Sequence, residues 1–193
     1  MRVVVVFDIF GVLLSRSFAS SADSLSLLLN RSAAEIKTAY VRWEHPWDRG
    51  QITAVDFWSE VQAELGTGVD WQVLDNAVLN SIHPLPGSLQ LLARCGENTD
   101  TYLLSDTRRE WFQTLDDRFG LRRRVRRAFL SFEMGLGKSD PGCFEFVLAE
   151  IGCQPGDVTF LDDRATNITA ARRLGIKAIK FSTAAAVEEE LCS

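Results

Sequence analysis

The segment VVVVFDIFG, residues 3–11, decides the class of fold to which this chain belongs. Five apolar residues run directly into Asp8, and Gly11 follows three positions later. An apolar run of this length is typical of a strand that is buried on both faces of a parallel sheet. It is too short for the apolar region of a signal peptide. Residues 3–7 are therefore predicted to form a buried strand that presents Asp8 at its carboxyl end.

Three further apolar runs predict strands of the same kind, at residues 101–104, 158–161 and 178–181. Helical patterns separate them. Asp140 is expected to cap a helix that has Pro141 at its first position and ends at Gly152. The next helix is expected to begin near Thr166. Strands that alternate with helices are typical of a doubly wound α/β sheet.

Residues 16–82 show a different pattern, with helical periodicity and no clear strand signal. Ser32 and Glu35 have the spacing of a capping box, in which each side chain bonds the backbone of the other. Thr53 and Asp70 each precede another apolar helical face. This stretch is therefore predicted to be an all-helical insertion between the first strand and the rest of the sheet.

Most of the tryptophans of this chain lie in the predicted insertion, where aromatic residues at helical spacing usually build a core. The four are Trp43, Trp47, Trp58 and Trp71. Their second interpretation is that one or two of them line a pocket that faces the sheet. The predicted organisation is a core formed by residues 1–15 and 83–193 and a helical cap formed by residues 16–82.

Composition narrows the classes of partner. The chain has 193 residues and a formal net charge of −5, which argues against nucleic acid as a partner. The run RRRVRR, residues 122–127, is interpreted as a solvated helix face rather than a polyanion-binding patch. No apolar stretch approaches the roughly 20 residues that a membrane-spanning helix needs, so no membrane association is expected.

The cysteines show no spacing that would hold a zinc ion or a redox pair. The four, Cys95, Cys143, Cys153 and Cys192, are scattered, and no Cys-x-x-Cys motif occurs. Free thiols of this kind suit a reducing compartment. A cytoplasmic location is therefore expected.

Polar side chains follow three of the predicted strands at the point where each strand ends. They are Asp8, the pair Ser105-Asp106 and the pair Asp162-Asp163. Ligands of open α/β sheets bind at the carboxyl ends of the strands. A fourth polar segment, which contains Lys138, leads into a helix. The sequence therefore predicts one acidic site with a lysine beside it.

In these segments the chain resembles the haloacid dehalogenase-like (HAD) hydrolase superfamily. FDIFGVL (7–13) is similar to the first motif of the superfamily, LLS (103–105) to the second, Lys138 with Asp140-Pro141 to the third, and FLDDRATN (160–167) to the fourth. The segment DRGQIT (48–53) resembles the helical cap of the phosphatase branch related to the amino-terminal domain of soluble epoxide hydrolase. The resemblance implies a Rossmann-like core with a small helical cap.

The resemblance also implies roles for these residues. Asp8 would attack phosphorus and form an aspartyl-phosphate intermediate. Ser105 and Lys138 would bind the phosphoryl oxygens, with Asp106 beside them at the substrate site. The metal would be Mg²⁺, held by Asp8, the backbone carbonyl of Phe10 and Asp163. Asp162 would act through water or by orienting Lys138.

Charge counting among these residues also favours a metal. The acids at the predicted site outnumber its single lysine, so a phosphate dianion would be strongly repelled without a divalent cation. The expected substrate is a small phosphorylated metabolite, because a cap of about 65 residues, counted on the predicted boundaries, would exclude large molecules. The sequence gives no prediction for the oligomeric state.

Phe10 is the main departure from the pattern of the superfamily. The resemblance implies an aspartate at this position, two residues after the nucleophile, as general acid and base. Phenylalanine offers no proton, although its backbone carbonyl can still bind a metal. Asp106 is a second departure, because the superfamily usually has asparagine there.

Three functions are compatible with Phe10. The first is a magnesium-dependent phosphatase that works without this acid, since general acid–base help is worth about 10²–10⁴-fold in rate. The second is a non-catalytic relative that binds a phosphorylated ligand or a protein. The third is a 2-haloacid dehalogenase, because such enzymes have an aromatic residue at this position and release a halide that needs no proton. They lack the paired aspartates of this chain, so we rank them last.

Overall fold

The fold contains a parallel sheet, as described by a computed structural model for residues 4–192; Val3 of the first predicted strand lies outside these residues. The strands of the described chain are β1 (Val4–Phe7), β2 (Asp100–Ser105), β3 (Arg127–Leu130), β4 (Val158–Asp162) and β5 (Lys177–Lys180). Their spatial order is β3-β2-β1-β4-β5, and every pair is parallel. The predicted α/β fold is confirmed, with the first strand of the chain at the centre of the sheet.

Helices connect the strands. Between β1 and β2 lie α1 (Ser17–Leu29), α2 (Ala33–Asp48), α3 (Ala54–Leu65), α4 (Trp71–Ser81) and α5 (Ser88–Asn98). The later helices are α6 (Arg109–Phe119), α7 (Ser131–Met134), α8 (Cys143–Ile151), α9 (Ala165–Arg173) and α10 (Ala184–Cys192). None of the helices within residues 4–192 combines the length and the apolar character that crossing a lipid bilayer requires.

The register of the sheet brings the predicted polar residues to one edge. Phe7 at the end of β1 pairs with Leu103 of β2 on one side and with Leu161 of β4 on the other. Because the strands are parallel and aligned, the residues that end or follow them lie side by side. This edge therefore carries Asp8 between the ends of β2 and β4.

Strand β3 was not predicted, and the arginine-rich run is not the helix face that the sequence suggested. Residues Arg122–Arg124 form one turn of 3₁₀ helix, and Arg127 is the first residue of β3. Only three apolar residues follow before the strand ends, so the run is too short to stand out as a strand. Pairing with β2 decides the conformation of this segment.

The start of α8 also differs from the prediction. The helix begins at Cys143, and Gly142 with φ 85° occupies the N-cap position. Asp140 is not the cap: its carboxylate accepts hydrogen bonds from the backbone N of Gly137 at 2.7 Å and from the side chain of Arg49 at 2.6 and 2.9 Å. These tertiary partners take the carboxylate away from the helix. The predicted end at Gly152 is confirmed.

Helices α2–α4 follow the predicted start signals. The capping box of Ser32 and Glu35 is confirmed at the start of α2. Thr53 caps α3 in the same way with Asp56, and the side chain of Asp70 accepts a hydrogen bond from the backbone of α4. These caps fix where the helices of the insertion begin, as the sequence alone predicted.

The tryptophans of α2 and α3 confirm the prediction of a core. Trp47 and Trp58 are buried, and Trp43 and Trp71 pack partly buried against the same apolar cluster. That cluster also includes Val5 and Phe7 of β1, so helices α1–α4 and one face of the sheet share a continuous core. The division into core and cap at residues 15/16 and 82/83 stays a prediction.

Candidate active site

The nucleophile predicted from the sequence lies buried at the carboxyl end of the central strand. The backbone N of Asp8 donates to the carbonyl of Leu161 at 2.9 Å, which continues the pairing of β1 with β4. Its Oδ1 accepts a hydrogen bond from the backbone N of Ile9 at 2.7 Å, and its Oδ2 lies 2.5 Å from Nζ of Lys138. The carboxylate is therefore fixed at both oxygens.

Lys138 is shared between two carboxylates. Its buried Nζ also donates to Oδ2 of Asp162 at 2.7 Å. The same oxygen accepts from Nδ2 of Asn167 at 3.0 Å, and Oδ1 accepts from the backbone N of Arg164 at 2.7 Å. Asp162 thus contacts the same Nζ of Lys138 that Asp8 contacts, and its orienting role stays a prediction.

The protonation of this cluster follows from burial and from the lysine. Burial raises the pKa of Asp8 despite the opposing effect of Lys138. For Asp162, Lys138 and the donated hydrogen bonds outweigh burial, and its pKa is lowered. Burial works against the charged form of Lys138, but Asp8 and Asp162 outweigh it and raise the pKa of the lysine. Lys138 therefore stays charged beside the nucleophile.

Asp106, where the superfamily usually has asparagine, contacts the segment that carries Lys138. Its Oδ1 accepts a hydrogen bond from the backbone N of Lys138 at 2.8 Å, so it holds the loop that carries the lysine. Ser105, at the end of β2, is buried, and its Oγ has no hydrogen-bond partner within residues 4–192. An unpaired buried hydroxyl is costly without a ligand.

Asp163 turns its carboxylate toward Gly11 and Arg16. A Cβ at position 11, where φ is 85°, would overlap the Asp163 carboxylate, so glycine is needed for both backbone conformation and close approach. Oδ2 of Asp163 accepts from the side chain of Arg16, whereas Oδ1 is buried and has no hydrogen-bond partner in the described chain. This leaves one carboxylate oxygen available to a ligand.

The three aspartates fit a hard divalent cation. Asp8, Asp162 and Asp163 each offer a carboxylate oxygen, and these atoms all lie within 4.8 Å of one another. Carboxylate and carbonyl oxygens are the ligands that Mg²⁺ takes in proteins. Oδ1 of Asp163 is buried and has no hydrogen-bond partner in the described chain, so it is available to bind a cation. The three aspartates are therefore compatible with Mg²⁺.

A cavity of about 180 Å³ opens above this cluster, between the sheet edge and helices α1 and α2. This is smaller than the roughly 300–1,000 Å³ typical of sites for drug-sized ligands. Its lining combines Asp8, Phe10, Asp106 and Lys138 from the predicted site with residues of the insertion, among them Ser17, Tyr40, Glu44 and Asp48. The cavity is therefore suited to a small polar ligand.

A buried arginine joins the two walls of the cavity. The side chain of Arg108 is 2% exposed, and its guanidinium carbon lies 4.4 and 4.1 Å from the ring centroids of Trp47 and Trp111. It donates to the hydroxyl of Tyr40 at 3.0 Å and lies 3.1 Å from Asp48. Arg108 thus connects the loop after β2 to helix α2.

Comparison with known families shows where the chain belongs. Residues 3–175 match the model of the haloacid dehalogenase-like hydrolase family. The chain is a HAD-like hydrolase. The match extends from the strand that carries Asp8 to the end of α9, and so includes every segment in which the sequence resembles the superfamily.

Solved structures of HAD proteins share the fold. One is a HAD family enzyme from Bacteroides thetaiotaomicron, with TM-score 0.79, 21% identity and coverage of 94% of both chains. The same enzyme is known in complex with magnesium and inorganic phosphate. Another is the L-2-haloacid dehalogenase of Xanthobacter autotrophicus, with TM-score 0.69, 20% identity and coverage of 100% of this chain and 84% of that chain.

Curated relatives match only in part. A chloroplast flavin mononucleotide hydrolase of Arabidopsis thaliana is 30% identical over 81 residues, and a drimenol cyclase of Aspergillus calidoustus is 36% identical over 63 residues. These segments cover 42% and 33% of this chain but only 33% and 12% of the relatives. The chain thus corresponds to a minor part of each relative.

The structure of this HAD-like hydrolase brings the predicted site residues together. Asp8, Asp162 and Asp163 form one cluster. Nζ of Lys138 contacts Asp8 and Asp162, and the backbone N of Lys138 donates to Asp106. Two charged residues of the insertion between β1 and β2 do not line the cavity: Arg42 pairs with Glu64, and Arg49 pairs with Asp140. Glu44 and His45, from the same helix, do line the cavity.

Sequence reasoning missed three arginines of the site: Arg16, Arg108 and Arg164 all line the cavity. Arg164 directly follows the aspartate pair, and Arg16 is the first residue of the predicted cap, shortly after the segment 7–13. Their positions beside these segments could have indicated that both arginines lie near the site. Arg108 stands three residues after Ser105, and its burial depends on the aromatic rings of α2 and α6. Only the packing of the insertion on the core shows that it reaches the cavity.

Proposed function

We propose that this HAD-like hydrolase is a magnesium-dependent phosphatase that acts on a small phosphorylated metabolite. The observation that carries the proposal is the shared lysine: Nζ of Lys138 lies 2.5 Å from Asp8 and 2.7 Å from Asp162, and Asp163 completes an acidic cluster beside them. This arrangement combines a nucleophile, a cation for the phosphoryl oxygens and a set of oxygen ligands for Mg²⁺.

The reaction begins with Asp8. One of its carboxylate oxygens attacks phosphorus, the bond to the leaving oxygen breaks, and an aspartyl-phosphate forms. Lys138 and the unpaired hydroxyl of Ser105 bind the phosphoryl oxygens. Water then hydrolyses the acyl phosphate and releases inorganic phosphate. Asp8, Asp163 and the backbone carbonyl of Phe10 would hold Mg²⁺, which would supply positive charge to offset that of the phosphate.

A panel of phosphate esters and 2-haloacids, assayed with Mg²⁺ and with chelator, tests this function. We expect ester hydrolysis that requires Mg²⁺ and a hydroxylamine-sensitive phosphoryl group on acid-quenched protein. The complex of the Bacteroides thetaiotaomicron enzyme with magnesium and phosphate is in line with this expectation. Phosphate binding without turnover of any compound would support the non-catalytic alternative instead.

A dehalogenase, which the sequence ranks last of the three functions, stays a candidate because Phe10 lines the cavity where a phosphatase would place its acid. A halide leaves without a proton, and the L-2-haloacid dehalogenase of Xanthobacter autotrophicus shares the fold. The acidic cluster opposes it, since Asp162 and Asp163 would repel a substrate carboxylate. Turnover of 2-chloropropionate in the presence of chelator would favour this candidate over the phosphatase.

The two aspartates at the end of β4 are expected to differ in their effect on metal binding. Asp163→Ala should weaken Mg²⁺ binding by about 100-fold or more, because it removes the oxygen that has no hydrogen-bond partner in the described part of the chain. Asp162→Ala should weaken it only about tenfold, through the loss of Lys138 positioning. Isothermal titration with Mg²⁺ measures both. Equal losses in the two variants would contradict the assignment of Asp163 as a direct ligand.

Restoring the missing acid should increase turnover of poor leaving groups. Phe10→Asp is expected to raise the kcat of alkyl phosphates by about 100-fold, because a general acid at this position protonates the leaving oxygen. The gain should be much smaller for p-nitrophenyl phosphate, whose leaving group is stable as an anion. Steady-state kinetics on both esters measures the difference.

Phe10→Leu is the matched control for this change, since it removes the ring without adding an acid. Phe10 packs partly buried against the apolar cluster, so the thermal stability of both variants has to be measured alongside the rates. A folded Phe10→Asp protein that binds Mg²⁺ and gains nothing on any ester would argue against a latent phosphatase site.

A further inference from the structure

The proposed phosphatase reaction leaves one charge without an obvious partner. When the ester bond breaks, negative charge develops on the leaving oxygen, and Phe10 can supply no proton to it. A cation aimed at this oxygen would stabilise the charge without transferring a proton. Which residue stabilises the leaving oxygen is a question that rests on the proposed phosphatase function.

Arg164 is placed by its backbone beside the reacting cluster. Its backbone N donates to Oδ1 of Asp162 at 2.7 Å, which fixes the residue at the start of α9 directly after Asp163. Its side chain lines the cavity together with Asp8 and Glu44. Within residues 4–192 the guanidinium group makes no hydrogen bond or ion pair. It is therefore free to bind a ligand in the cavity.

The acids around Arg164 favour the charged form of its guanidinium. Burial lowers its pKa, but Glu44 and then Asp8 raise it, so the pKa stays above the usual range. Glu44 belongs to α2 above the cavity, and Asp8 lies on its floor. Arg164 therefore shares one cavity with the nucleophile and with the helix that faces it.

The cations nearest to the reacting cluster are already paired. Lys138 is held by Asp8 and Asp162, Arg108 by Tyr40 and Asp48, and Arg16 by Asp163. None of them can turn to the leaving oxygen without giving up a contact that it makes now. Lys37 also lines the cavity, but it belongs to α2 rather than to the sheet edge.

We propose that the guanidinium of Arg164 binds the leaving oxygen of the phosphate ester and stabilises the charge that develops on it. The new bond joins Asp8 to phosphorus, the broken bond joins phosphorus to the leaving oxygen, and the electron pair goes to that oxygen. Arg164 keeps its proton throughout, because a guanidinium does not titrate near neutral pH. The released alkoxide takes its proton from solvent.

A series of esters with graded leaving groups tests this role. We expect Arg164→Gln to lower kcat/KM about 100-fold or more for an alkyl phosphate but less than about fivefold for p-nitrophenyl phosphate. Arg164→Lys, which keeps the charge and loses the planar donors, should fall between wild type and Arg164→Gln. Arg173→Gln makes the same change of charge on an exposed face of α9 outside the cavity and should leave both values unchanged.

Three outcomes would overturn the proposal. Equal losses for all esters would assign Arg164 to phosphate binding in general. A selective loss in Lys37→Gln or Arg16→Gln, with none in Arg164→Gln, would transfer the role to another cation of the cavity. A folded wild-type protein that hydrolyses no ester would refute the proposed function itself. Melting temperatures of all variants establish that each loss occurs in folded protein.

Discussion

Asp8→Asn is expected to lower ester hydrolysis by at least about a thousandfold while the protein stays folded. The change removes the only carboxylate oxygen that is proposed to bond phosphorus, and an amide cannot replace it as a nucleophile. The fold should tolerate it, because burial already works against the charged form of Asp8. Initial rates on the most reactive ester of the panel, with circular dichroism and melting temperature, measure both effects.

The control for this variant is Asp117→Asn. Asp117 is exposed on α6 and does not line the main cavity, so the same chemical change there should leave the rates unaltered. Acid-quenched Asp8→Asn should also carry no hydroxylamine-sensitive phosphate. Near-normal turnover in a verified Asp8→Asn preparation would exclude the covalent mechanism.

Lys138→Met is expected to have the largest effect on stability. Met fills a similar volume but leaves the buried carboxylates of Asp8 and Asp162 without their shared cation. Breaking a buried ion pair in this way typically costs about 3–5 kcal/mol. The free energy of unfolding, measured by denaturant titration in chelator, should fall by about that amount, and hydrolysis should be lost with it.

The pH dependence of the Lys138→Met variant gives a second measurement. Without the lysine, burial and the charges of Asp162 and Asp106 act unopposed on Asp8, whose pKa is already raised in the folded protein. The folded variant then binds more protons than the unfolded chain, so its stability falls as pH rises and partly recovers as pH is lowered. Lys37→Met, at an exposed residue that has no ion pair within residues 4–192, should change the unfolding free energy by less than about 0.5 kcal/mol. A Lys138→Met protein as stable as this control would contradict a stabilising role for the buried ion pairs of Lys138 with Asp8 and Asp162.

The caps and the central strands could be predicted because their signals are local. Ser32 with Glu35, and Thr53 with Asp56, close their hydrogen bonds within one helical turn. The aspartates at the strand ends were predictable for a related reason: parallel strands place their carboxyl ends at one edge, so order along the chain is enough to bring Asp8 and Asp162 together.

Signals that depend on distant partners were misinterpreted or missed. Asp140 has the sequence context of a helix cap, but Arg49, 91 residues away, takes its carboxylate. Strand β3 has too few apolar residues to be recognised from the sequence alone. It forms because its backbone pairs with β2. In both cases a tertiary contact outweighs the local preference.

The sequence by itself determined the α/β class, the helical insertion and the cluster of Asp8, Lys138, Asp162 and Asp163, because periodicity and strand order are properties of the chain. Only the tertiary structure decided what surrounds that cluster. The cavity, the place of Arg164 in its lining and the stacking of Arg108 between two tryptophans depend on how α2 packs over the sheet edge. Such packing is set by side-chain shape and burial across segments far apart in sequence, and no local pattern records it.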